Sequence, residues 1–183
     1  MKSLSCLLFL LISITDCTSM QLTLFDQSSL LDHKEDMEDT ERSFHEMYKK
    51  TQKDLRKNLF DEIIKMSSSI IIAKSGDQYV ATVFYGFDEP DSLEMLFSFT
   101  YSPIKNIEEI TQALNKILEH IKNRYKKMNI GCLILKNTPT QCTEIITRIG
   151  FEYAARDENP EGIYGAWNEY RLCFDHSAIN NNN

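Results

Sequence analysis

Seven apolar residues, Ile107, Ile110, Leu114, Ile117, Leu118, Ile121 and Tyr125, recur at spacings of three and four between two short apolar runs. That spacing predicts an amphipathic helix from Asn106 to Lys127. The flanking runs, SLEMLFSFTY (Ser92 to Tyr101) and GCLILK (Gly131 to Lys136), read as strands. A strand, a long crossover helix and a second strand share one sheet only when the strands run parallel. The first run is apolar on both faces and is therefore expected at the centre of the sheet. The chain belongs to the α/β class on this feature alone.

The rest of the sequence adds antiparallel pieces. Phe44, Met47, Tyr48, Leu55, Leu59, Phe60, Ile63 and Ile64 mark a helical stripe from about Ser43 to Lys65, broken near Thr51. SSIIIAK and QYVATVFYGF, separated by Ser75, Gly76 and Asp77, read as a hairpin. Thr138 is expected as a helix N-cap, with Pro139 at the first helical position and Gln141 completing the box. Cys142, Ile145, Ile146 and Ile149 would be the buried face of that helix, and Gly150 its end. Two closing strands follow, Phe151 to Arg156 and Asn168 to Phe174. The predicted product is one domain, residues 43–176, with a mixed sheet.

The termini read differently. MKS, the apolar run Leu4 to Ile14 and the small residues of CTS describe a secretory signal removed after Ser19. The run is shorter than the roughly 20 apolar residues that cross a bilayer, and we expect no membrane anchor. Asp32 to Glu41 is acidic with few apolar anchors and reads as flexible or loosely helical, so residues 20–42 are expected as a flexible acidic lead-in. The tail, 177–183, is expected disordered. Loss of the signal leaves Cys132, Cys142 and Cys173, either three buried thiols or one bridge and one thiol.

Charge and motifs exclude several chemistries. A formal net charge of -7 leaves no electrostatic footprint for nucleic acid. The basic run KNRYKK, Lys122 to Lys127, lies where the helix dipole favours cations. His33, His45, His120 and His176 are isolated, and no metal spacing, G-x-S-x-G elbow or P-loop occurs.

EIITRIGFEYAAR, Glu144 to Arg156, together with the order of elements from Leu59 to Phe174, resembles the GCN5-related acyl-CoA N-acyltransferase superfamily. The resemblance implies an α/β (α+β) sheet splayed between its fourth and fifth strands, acyl-CoA in the splay, and acyl transfer to an amine. After the fourth strand such enzymes read about P-x-x-R/Q-G-x-G-x-G/A. Aligned on Pro103, this chain has Asn106 at the Arg/Gln place, Ile107 and Glu109 at glycine places, and Thr111 at the last. The resemblance makes Phe99, Tyr101, Asn106 and Thr111 the cofactor contacts if acyl-CoA binds. It makes Glu94, or Glu89 in the preceding turn, the base for the amine. The proton-donor place on the short helix holds Ile146, with Tyr153 and Tyr164 beyond it.

The same residues have a ligand-free logic. Asn106 and Glu109 form a capping box, and Glu108 adds favourable charge at the positive helix end while repelling a pyrophosphate. The main expectation is a secreted, noncatalytic protein of acyltransferase-like fold that binds a protein or small ligand and holds no cofactor. The alternative is a divergent acetyl-CoA-dependent N-acetyltransferase. Whether the chain is an enzyme, and its oligomeric state, stay open on the sequence.

Overall fold

The computed structural model describes residues 20–49, 53–87, 94–125, 128–135, 138–157 and 167–174. The signal run, Glu89, Tyr164, His176 and the tail lie outside the described residues, as do the side chains of Glu94, Trp167 and Cys173. In chain order the elements are β1 (Met20–Phe25), a 3-10 turn (Gln27–Ser29), α1 (Lys34–Met47) and α2 (Lys53–Met66). The hairpin β2 (Ser69–Ser75) and β3 (Gln78–Phe87) follows, then β4 (Glu94–Tyr101), α3 (Ile107–Arg124) and β5 (Met128–Leu135). The chain closes with α4 (Thr140–Arg148), β6 (Glu152–Asp157) and β7 (Trp167–Phe174).

Seven strands lie in the order β1-β2-β3-β4-β5-β7-β6, which puts β4 in the middle. Only the β4–β5 pair is parallel, as a strand–helix–strand unit requires; the other neighbours are antiparallel. Alternation along β3 separates the two faces. Thr82 and Phe84 face α1 and α2, where Thr82 Oγ1 is hydrogen-bonded to Thr40 Oγ1 at 2.8 Å and Phe84 meets Phe60 edge-on. On the opposite face α3 buries Ile110, Ala113, Leu114, Ile117, Leu118 and Ile121, the stripe read from the sequence.

Local chemistry sets the turns. Ser75 pairs with Gln78, leaving Gly76 and Asp77 as the turn, and Gly76 has φ 59°, the sign a two-residue hairpin turn demands of its first central residue. At the end of α4, Gly150 has φ 94°; its N–H donates to Thr147 O and the Phe151 N–H donates to Ile146 O. That pair of bonds is a Schellman closure, and it sends the chain into β6.

Two expectations are corrected. Residues 20–42 are not a flexible lead-in: β1 pairs with β2 along its whole length, and α1 begins at Lys34, the helical of the two readings for Asp32 to Glu41. Gln27 Nε2 donates to the carbonyls of Lys65 (2.8 Å) and Ser67 (3.0 Å) at the end of α2, and Asp36 pairs with Lys74. Long-range ladder bonds and polar ties order this segment, and apolar periodicity registers neither. Thr138 is not the N-cap of α4 either. The helix starts at Thr140 without a side-chain cap, and Thr138 lines a small pocket with Tyr48 and Cys142 instead.

Candidate functional site

Glu94 to Phe97 of β4 pair with Asn129 to Cys132 of β5, and the ladder ends there. Beyond it β4 stays on β3 as far as Tyr101, and β5 stays on β7 as far as Leu135. The two strands therefore diverge toward their C-terminal ends, and side chains must close the gap. Ser98, Phe99, Cys132 and Ile134 enter it from the strands, Thr138 and Cys142 from the start of α4, and Phe44 and Tyr48 from α1. The cavity left among them is about 10 Å³, room for one water at most.

The polar groups in this cleft are neutral at physiological pH. Burial pushes the Cys142 thiol up to about 11, and burial with the neighbouring Cys142 raises Cys132 further. Burial likewise raises the phenols of Tyr48 and Tyr101, the latter hydrogen-bonded to Cys142 Sγ at 3.4 Å. A thiol nucleophile needs a depressed pKa and an electropositive setting, and these thiols have neither. Both are free.

The start of α3 is closed by its own side chains. Asn106 Oδ1 accepts from the Glu109 N–H at 2.8 Å, the forward half of the expected capping box. The Glu109 carboxylate turns to Lys105 Nζ at 2.7 Å, and Lys105 also donates to Gln78 Oε1 at 2.8 Å. Lys105 is thereby engaged, and Glu108 and Glu109 place two carboxylates in the first turn. A pyrophosphate would meet like charge and a donor already used, so these residues do not fit the phosphate end of acyl-CoA. The packed cleft does not fit its acyl end.

The sequence-derived candidates separate into two ends of β4. Phe99 and Tyr101 lie in the cleft, buried, with ring centroids 6.3 Å apart. Asn106 caps α3, and Thr111, one turn further in, has a buried Oγ1 without a partner. Glu94 begins β4 opposite Asn129. Seven strand steps of about 3.3 Å put its backbone roughly 23 Å from Tyr101, so Glu94 does not join the cleft residues. Ile146 is buried on α4, and Tyr153 is 57% exposed on β6 with its ring edge against Tyr170. Among the described residues no cluster of His, Cys, Asp and Glu could hold a metal ion. Sequence reasoning missed Tyr48 and Thr138. Tyr48 was assigned to a helix's apolar stripe, and only its hydroxyl distinguishes it from the rest of that stripe.

No family model matches the chain, and no curated protein sequence matches it. Solved structures do. An aminoglycoside 6'-acetyltransferase type Ii is similar with a TM-score of 0.60 at 10% identity, covering 85% of this chain and 97% of that one. The ribosomal-protein-S5-alanine acetyltransferase of Vibrio fischeri gives 0.57 at 8% identity, over 86% and 94%. The protein yncA of Salmonella typhimurium, solved with its cofactor acetyl-CoA, gives 0.54 at 12% identity, over 87% and 96%. The chain has the GCN5-related N-acetyltransferase fold, a mixed α/β domain.

Proposed function

We propose that this protein uses an N-acyltransferase fold to bind a protein or small-molecule ligand without transferring an acyl group. The observation that carries the reading is the β4/β5 cleft filled by the chain's own side chains, with about 10 Å³ left. The self-capped, doubly acidic start of α3 supports it independently. The open concavity lies elsewhere: a groove of about 730 Å³ runs between α1 and the β4–α3 connection, with Ser43, Tyr79 and Ser102 in its wall and Arg42, Glu46 and Asp77 at its rim. Mixed charge of this kind suits a polar ligand better than a polyanion.

A second reading, acyl-CoA-dependent transfer to an amine, is favoured by the neighbours, two of which are named acetyltransferases while the third holds acetyl-CoA. Isothermal titration of the wild-type protein with acetyl-CoA separates the two. The first predicts no binding tighter than about 1 mM, about -4 kcal/mol at standard state. Micromolar binding that disappears when Thr111 is replaced by Trp would establish the second.

The ligand-binding role is assigned to the secretory pathway or the extracellular space, on the strength of the apolar run Leu4 to Ile14 behind Lys2. N-terminal sequencing of protein recovered from culture medium should read MQLTLF. A cytosolic pool that retains Met1 would remove this assignment.

A further inference from the structure

The groove of about 730 Å³ beside α1 contains a cation whose hydrogen bonds are incomplete. Arg56 lies in the first turn of α2 and lines that groove, half-buried. Its Nη1 donates to His45 O in the last turn of α1 at 3.1 Å. The remaining edge of the guanidinium, Nε with Nη2, is one on which a carboxylate makes two parallel bonds. Among the described residues nothing accepts from that edge, and Nε is buried without a partner. A donor left in this state costs stability until an acceptor arrives. Tyr79, 8% exposed in the groove wall, also has a buried hydroxyl with no hydrogen-bond partner.

The other charges around the groove do not supply the acceptor. Asp39 pairs with Arg42 at 3.1 Å, Glu46 with Lys49, and Glu41 with His45 at 3.3 Å. Arg56 has no carboxylate among the described residues, and the positive end of α2 adds to its charge. Pro103 and Ile104 line the same groove, and Ile104 is 85% exposed. A free guanidinium edge and an uncovered aliphatic side chain in one groove match the two ends of one kind of ligand. We propose that this groove binds a monocarboxylate with a short aliphatic chain, its carboxylate on the Nε and Nη2 edge of Arg56 and its chain directed toward Ile104. A free organic acid and the C-terminus of a peptide ending in an aliphatic residue share that chemistry. Asp39, Glu46 and Asp77 around the groove disfavour a polyanion. Gln78 and Tyr79 place the site on the β3 side of β4, outside the β4/β5 splay, and the assignment rests on the reading of this groove as the protein's ligand site.

Titration of the 15N-labelled protein with sodium 4-methylpentanoate, followed by NMR at the Arg56 Nε–H signal, tests this. The signal is identified by its loss in Arg56→Lys. It should shift saturably, with half-saturation below about 10 mM. The neutral 4-methylpentanamide should bind about ten-fold more weakly or not at all. In Arg56→Lys, read at the Ile104 backbone N–H, the acid should bind about ten-fold more weakly, because an ammonium group offers no fork. Ile104→Ser should weaken the acid about five-fold and leave acetate unchanged. That exposed substitution keeps the test open if the Arg56 variant does not fold.

Acetyl-glycyl-glycyl-leucine distinguishes the two sources: tighter binding than the free acid assigns the site to a peptide C-terminus, weaker binding to a small acid, and its amidated form should not bind. No saturable shift at Arg56, equal binding of acid and amide, or equal affinity in Arg56→Lys overturns the proposal. Pyrophosphate binding tighter than the acid overturns it too. Micromolar acetyl-CoA binding that depends on Thr111 would sink the ligand-only reading and leave the carboxylate result standing. A failed carboxylate titration would leave the acetyl-CoA result untouched.

Discussion

Replacing Ile117 by alanine should destabilise the protein by about 2 to 5 kcal/mol, the range for deleting a fully buried aliphatic side chain when the cavity only partly relaxes. Ile117 is 0% exposed in the middle of α3, and this helix packs across β2 and β3 on the face opposite α1. Ile110, Ala113, Leu114, Leu118 and Ile121 are buried beside it, so little can move in to fill the hole. Net stabilities of single domains lie at about 5 to 15 kcal/mol, so this one change removes a large share. Denaturant titration with an unchanged slope measures it. Asn115, exposed on the same helix, is the control: alanine there should be neutral or slightly stabilising through helix propensity. Equal stability of the Ile117→Ala protein and the wild type would mean that α3 does not pack on the sheet in this register.

Gly86→Ala should be comparably severe, for a different reason. A Cβ at Gly86 would stand 2.3 Å from the carbonyl oxygen of Met66, 3.2 Å from the Ser68 nitrogen and 3.3 Å from the Ser67 Cα, all backbone atoms. The Ser68 N–H donates to Tyr85 O at 3.0 Å, which holds the end of α2 against β3 and prevents an easy retreat. Reduced freedom of the unfolded chain would favour alanine by only about 0.4 to 1 kcal/mol. Overpacking costs about 1 to 3 kcal/mol even where side chains can yield, and backbone yields less. We expect a net loss of about 3 kcal/mol. Gly131→Ala is the matched comparison, because nothing lies within 4 Å of a Cβ there. If the two alanine variants melt together, the close approach of α2 to β3 is refuted.

Local pattern is enough for elements whose stabilising contacts repeat in the chain. The α3 stripe, the Gly76 turn, the Asn106 cap and the Gly150 closure each depend on residues within a few positions of one another. α1 ends at Met47, while Thr51, where a break was expected, lies outside the described residues. The parallel pairing of β4 and β5 was also legible, because a long helix between two strands leaves no other arrangement in one sheet.

Where a residue's partner lies far along the chain, only the tertiary structure decides. β1 shows no usable period and is ordered by its ladder to β2, whose paired residues lie 45 to 55 positions away in sequence. The beginning of α1 was legible only as flexible or loosely helical because its buried position holds Thr40, satisfied by Asp36 O and Thr82 Oγ1, not by an apolar side chain. Thr138 looked like a cap, but α4 starts two residues later, at Thr140, and Thr138 lines the cleft with residues from α1 and β5. The absence of glycine after β4 was plain in the sequence and already argued against a phosphate. That Tyr48 lines the cleft beside it could not be read there, since a tyrosine in a helical stripe has the same periodicity whether it packs on a sheet or borders a gap between two of its strands.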